Sequence, residues 1–119
     1  MTRESVSVEE LIAALNELKA QVEWIVERGH GAFVASTSEA GVLQLAASHA
    51  VIRLQAIIED FPEGFTQNNS DLPFPLVRGM RNRMAHGYHE IDPQILWRTA
   101  EMDLPDLIER LLHHLDSSQ

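Results

Sequence analysis

Eight consecutive residues, Arg81-Asn82-Arg83-Met84-Ala85-His86-Gly87-Tyr88, place a guanidinium, a carboxamide, an imidazole and the chain's only tyrosine within reach of one another. Arginine presents a planar fork of donors suited to phosphate and keeps its charge at any relevant pH. Histidine is the side chain that can both take and give a proton near neutrality. Together these groups supply what cleavage of RNA without a metal requires. A base removes the 2′-OH proton, the oxygen attacks the adjacent phosphorus, a cation offsets the charge that develops, and an acid protonates the leaving 5′-oxygen. A positioned acid–base group is worth roughly 10²–10⁴ in rate, and a preorganised electrostatic donor roughly 10²–10³. One histidine and one arginine are thin for a whole site, so two copies meeting in a dimer would supply both acid and base.

The surroundings sharpen the contrast. From Phe74 to His89 there are three arginines, Arg78, Arg81 and Arg83, and no carboxylate, in a chain of formal net charge −9. An acidic body argues against nonspecific binding along a duplex, where many phosphates are neutralised together. A basic island suits one or two phosphates gripped locally. If residues 74–87 are helical, Arg78, Asn82 and His86 follow one another at four-residue steps on one face, beside Arg81 and bordering the core. The same spacing also has a purely structural reading: cations gather near helix C-termini, and Gly87 is a natural terminator.

The elements that must position these groups are helical throughout. Ser7 to Glu10 has capping-box spacing, and Leu11, Leu15, Leu18, Val22 and Ile25, widened by Ile12 and Val26, form an apolar stripe ended by Gly29 and Gly31. Ser36 to Glu39 repeats the cap. The helix it opens runs to about Asp60, burying Val42, Leu45, Ala46, Ile52 and Ala56, and Pro62 stops it. Glu63 to Asp71 reads as a polar loop. Pro73 and Pro75 fit the first turn of a third helix, with Val77, Met80 and Met84 inward. Asp92-Pro93 opens a fourth, carrying Ile95, Leu96 and Trp97. Asp103-Leu104-Pro105 kinks or restarts it, and Leu107, Ile108, Leu111, Leu112 and Leu115 continue its apolar face. The fold class expected is all-α: an up-and-down antiparallel bundle of four to five helices, one domain over residues 1–119.

Composition narrows the rest. At 119 residues and 45% apolar content the chain can bury one core unaided. With no cysteine, disulfides and thiolate chemistry are excluded. No run approaches 18 apolar residues and the N-terminus is unlike a signal peptide, so a cytoplasmic protein without a membrane partner is expected. His30, His49, His89 and the pair His113-His114 lack metal-ligand spacing, Glu9-Glu10 and Glu59-Asp60 read as cap and solvated face, and neither a metal nor a cofactor is expected. Trp24 and Trp97 read as core or dimer-interface anchors. Walker, dinucleotide and nucleophile-elbow motifs are absent.

Arg81-Asn82-x-x-x-His86-x-Tyr88, followed by Ile91-Asp92, Trp97 and Asp103-Leu104-Pro105-x-Leu107, resembles the HepT-like toxins of the HEPN superfamily. The resemblance runs from about Leu76 to Leu111, close to a third of the chain. It implies a two-fold dimer of helical bundles with both motifs in one cleft, acting as a metal-independent endoribonuclease toxin of a type II toxin–antitoxin pair. Arg81 would stabilise the phosphorane, His86 would be the acid–base group, Asn82 would orient them with Arg78 in support, and RNA, tRNA among the candidates, would be the substrate. The implied partner is a nucleotidyltransferase antitoxin that adds AMP to Tyr88, whose new charge would block the phosphate site. Members carry a Gly-Glu pair in the middle of the second helix, facing the motif. The corresponding stretch here is Ala46-Ala47-Ser48-His49-Ala50, which lacks the acid and bears on how the arginine is held. The alternatives are a noncatalytic helical module that binds a nucleotidyltransferase or its nucleotide, and a structural oligomerisation domain.

Overall fold

The computed structural model of the chain describes residues 6–87 and 91–117. Four long elements make the bundle: α1 (Val8–Glu27), α3 (Ser38–Glu59), α5 (Phe74–Met84) and an arm made of α6 (Pro93–Arg98) and α7 (Leu104–Ser117). Two short helices, α2 (His30–Val34) and α4 (Phe65–Asn68), fill its corners. No strand occurs among the described residues. The all-α expectation holds, with α1, α5 and the arm matching the apolar periodicities.

α1 starts where its cap predicts. The Ser7 hydroxyl accepts from the Glu10 amide at 3.1 Å, and all five residues of the Leu11–Ile25 stripe are buried. Gly29 ends this helix with φ near +88°, a conformation that glycine adopts without penalty. Gly31 does not end it: it lies within α2, whose Phe33 is fully buried and whose Phe33 carbonyl accepts from Gln44 Nε2 at 2.9 Å. Lys19 of α1 pairs with Glu109 of α7. The hydrogen bond to Glu109, and then its charge, hold the lysine above its usual pKa range.

α3 corrects the sequence reading in three respects. Its cap is Thr37, which accepts from the Ala40 amide at 3.0 Å, in place of Ser36. Its buried face is Ala40, Leu43, Ala47, Ala50, Val51, Leu54, Ile57 and Ile58, whereas Val42, Leu45, Ile52 and Ala56 are exposed and Ala46 only partly covered. The reason is that α3 is apolar almost all round, so periodicity offers two stripes and does not choose between them. It is also long and apolar enough, by length and composition alone, to meet a membrane-span criterion that the sequence reading thought unmet. Half of that span is buried within the bundle, against α1 and α5.

The supposed polar loop after Pro62 contains α4, pinned by buried Phe65 packed between Phe61 and Phe74. Asp92 caps α6 by accepting from the Gln94 amide at 2.8 Å. Trp97 is buried against Phe33, while Ile95 faces solvent. The arm restarts as α-helix at Leu104, as Asp103-Leu104-Pro105 indicates, with no non-helical break. It widens into a π-helical turn, Thr99–Asp103, in which the Leu104 amide reaches back to the Thr99 carbonyl. Pro105 has no amide to offer Glu101, and the wider turn absorbs that missing donor. The centre of the core is Leu15, Leu54, Leu107, Ile108 and Leu111, all closed to solvent. Leu107→Ala, which leaves a cavity there, is expected to cost about 2–5 kcal/mol of unfolding free energy, read as a lower urea midpoint at unchanged slope.

Candidate active site at the end of α5

Met80 and Met84 bury one side of α5 against α3, as their spacing requires, and that anchorage fixes where the remaining side chains emerge. Arg81 borders the core and is half-covered, whereas Arg78 and Asn82 lie fully on the exposed surface. The helix stops at Met84, so His86 does not continue the face of Arg78 and Asn82. It sits in a tightened turn whose amides bond three or four residues back: Ala85 to the Arg81 carbonyl, His86 to Arg83, and Gly87 to Met84. Gly87 leaves this turn at φ near +126°, which favours glycine and explains the stop. His86 is thus an exposed imidazole on a backbone whose own hydrogen bonds are made. Tyr88 lies outside the described residues.

A carboxylate reaches this group from α3. Glu59 Oε1 lies 3.4 Å from an Arg81 terminal nitrogen and accepts from Gln55 Nε2 at 3.3 Å. Both partners of the ion pair are substantially exposed, so it adds at most about 1 kcal/mol to stability. Its effect is orientational: one arm of the guanidinium is held and the remaining donors stay available for an anion. Arg78 and Arg83 form no ion pair with another described residue. The side chains of Asn82 and His86 make no hydrogen bond with one either. The end of α5 therefore presents an oriented cation, a titratable ring and two further arginines to solvent.

Gln55 has no part in the sequence reading, and Glu59, read there as solvated face, turns out to hold Arg81. Within the stretch Ala46–Ala50, Ala46, His49 and Ala50 line a groove against Trp24 of α1, whereas Ala47 and Ser48 are buried. The α3 residues that engage the arginine, Gln55 through Glu59, come about one and a half to two and a half turns later. A signal for them existed, because Gln55 interrupts the buried run Val51, Leu54, Ile57, Ile58 at a core position. The two tryptophans also divide: Trp97 is core, whereas Trp24 is 53% exposed with the Arg28 guanidinium 4.0 Å above its ring. His30 is bound in the scaffold through Gln94, at 2.6 Å, and the edge of Trp97.

The end of α5 thus displays an arginine and a histidine five residues apart, with a carboxylate from the neighbouring helix on the arginine, and a guanidinium fork of this kind matches the oxygens of a phosphate. Residues 36–113 match the HepT-like ribonuclease family, and the chain belongs to it. Among curated relatives, a protein of Caldanaerobacter subterraneus named provisionally as an RNase is 24% identical over 78% of this chain and 83% of its own length. One of Thermococcus cleftensis, named provisionally as ribonuclease HepT, is 32% identical over 49% of this chain and 56% of its own. A third, from Methanocaldococcus jannaschii and again named provisionally as an RNase, is 27% identical over 60% and 67%. No solved structure matches the chain significantly.

Proposed function

We propose that this protein is a metal-independent endoribonuclease, the toxin of a type II toxin–antitoxin pair, with a composite site formed by two copies of the chain. The observation that carries the reading is Arg81, oriented by Glu59 on a helix whose closing turn carries exposed His86. In one protomer His86 takes the proton of the 2′-OH, and the freed oxygen attacks phosphorus. Arg81 offsets the charge on the phosphorane, and His86 of the other protomer protonates the departing 5′-oxygen. The products are a 2′,3′-cyclic phosphate and a 5′-hydroxyl. With an acid and a base both required, the rate is bell-shaped in pH.

The surface of α3 supports the dimer. Val42, Leu45, His49, Ile52 and Ala56 alternate at three- and four-residue steps along its exposed side, the spacing of a seam that pairs helices. The next step of the series is Glu59, so the stripe runs into the site. An antitoxin nucleotidyltransferase then has a defined target. Attack of the Tyr88 hydroxyl on the α-phosphorus of ATP releases pyrophosphate and leaves an AMP ester two residues from His86, with its negative charge competing for the arginines.

The test is incubation of purified protein with total tRNA in EDTA, followed by end-group analysis. Cleavage that leaves 2′,3′-cyclic ends is the expected result. Intact tRNA, from protein whose mass excludes AMP, would overturn the reading in favour of a noncatalytic module.

A further inference from the structure

Beside Arg81 the surface opens into a cleft of about 180 Å³ between the end of α3, the turn before α4, and the first turns of α5. Phe61, Phe65 and Phe74 form its apolar floor, with successive ring centroids 4.6 and 5.9 Å apart. Gln55, Glu59, Glu63 and Arg78 form its polar wall. A space of this size falls below that of sites for drug-sized ligands and suits a single flat ring system.

Gln55 makes the wall unusual. It is 5% exposed, and its amide nitrogen is committed to Glu59, which fixes the orientation of the carboxamide in the free protein. Its Oε1 is left buried with no hydrogen-bond partner among the described residues. An orphaned acceptor is uncommon in a folded core and calls for a reason. With the carboxylates of Glu59 and Glu63, the wall offers three acceptor groups against the Arg78 guanidinium, and the Thr66 hydroxyl can serve either way. Phosphate does not fit that balance. A neutral ring with adjacent donors on one edge and acceptors on another does.

Among RNA bases guanine meets the description. Its N1–H and N2–H₂ stand side by side, and O6 and N7 are acceptors that arginine recognises. Adenine and cytosine present one amine beside an acceptor that would face carboxylate lone pairs, and uracil presents one N–H between two carbonyls. We propose that this cleft is a guanine subsite, in which Glu63 accepts from N1–H and N2–H₂, Arg78 donates to the O6 or N7 edge, and the Gln55 carboxamide, whose Oε1 is closed to solvent in the free protein, turns outward to share N2–H₂ once the base is seated. Glu59 remains with Arg81 and adjoins the base to the phosphate position. The assignment rests on the proposed function in one respect, namely that the guanosine is the one flanking the scissile phosphate.

Two measurements separate this assignment from the reading beneath it. Calorimetric titration of His86→Ala protein with the four ribonucleoside monophosphates needs no catalysis. Guanosine monophosphate is expected to bind at least about tenfold more tightly than the other three, a difference of about 1.4 kcal/mol, and Glu63→Gln is expected to remove it. Glu63 is exposed on a turn, so a circular dichroism melt suffices to establish that the variant folds. The second measurement maps cut sites of wild-type protein on an RNA pool randomised around one position, with guanosine expected to be enriched beside the cut. Cleavage without base preference, or equal or undetectable binding of all four nucleotides, overturns the subsite and leaves the ribonuclease reading standing. Glu63-dependent selectivity for guanosine monophosphate without RNA cleavage keeps the subsite and overturns the ribonuclease.

Discussion

His86→Ala is expected to lower RNA cleavage by about 10²–10⁴-fold while the protein unfolds at an unchanged temperature. The two halves of that expectation come from the same geometry. His86 is exposed on a turn held by backbone bonds of its own, and its ring makes no hydrogen bond with another described residue. Its removal leaves neither a cavity nor an orphaned partner, so stability stays within about 0.5 kcal/mol. The rate falls because both proton-transfer roles in the composite site belong to this one position in two copies. Arg81→Ala is expected to cost about 10²–10³-fold, and Arg81→Lys to recover only part of it, because an ammonium keeps the charge and loses the fork. Glu59→Ala should cost less than either, since the guanidinium remains and only its orientation is lost. Single-turnover rates beside thermal melts check all four. A His86→Ala protein that cuts RNA at the wild-type rate would remove the histidine from the mechanism.

What could be read from the sequence follows physical lines. α1, α5 and α7 are one-sided amphipaths, so the residues that look inward, Leu11 to Ile25, Val77 to Met84 and Leu107 to Leu115, are the ones that are buried. α3 is not one-sided, and periodicity chose its wrong face. Caps with a side-chain oxygen three residues before an acid were legible, but Ser36 and Thr37 both satisfy that pattern to within a residue, and the bond from the Ala40 amide falls to Thr37. The end of α5 at Met84 depends on the φ of Gly87, which moves His86 off the helical face that spacing assigned it. The Arg81–Glu59 contact spans 22 positions and joins two helices. No local pattern encodes such a pair. It emerges once Met80 and the α3 core residues have set how the two helices lie.

The wrongly chosen face of α3 supplies the second large effect. Val42 is 64% exposed, Leu45 53% and Ile52 42%, in a protein whose other stripes are buried. Fully covering an aliphatic side chain is worth roughly 1.5–3 kcal/mol. Because these three are already about half-covered in the single chain, two copies would gain about 5–10 kcal/mol from them, which meets the lower part of the estimated 4–15 kcal/mol cost of association and leaves the rest to the other residues of the stripe. Leu45→Glu places two carboxylates on that seam. The expected result is a monomer by sedimentation, with the melt of the single chain little changed because Leu45 already faces solvent there. RNA cleavage should fall by roughly 10²-fold or more, since each isolated site keeps a base and loses its acid. Met102→Glu, at an equally exposed apolar residue on the arm, is the control and should leave both assembly and cleavage as they were. A Leu45→Glu protein that sediments as a dimer would move the interface elsewhere. One that is monomeric yet fully active would mean that Arg81 and His86 of a single chain suffice, and that the second copy contributes nothing to the chemistry.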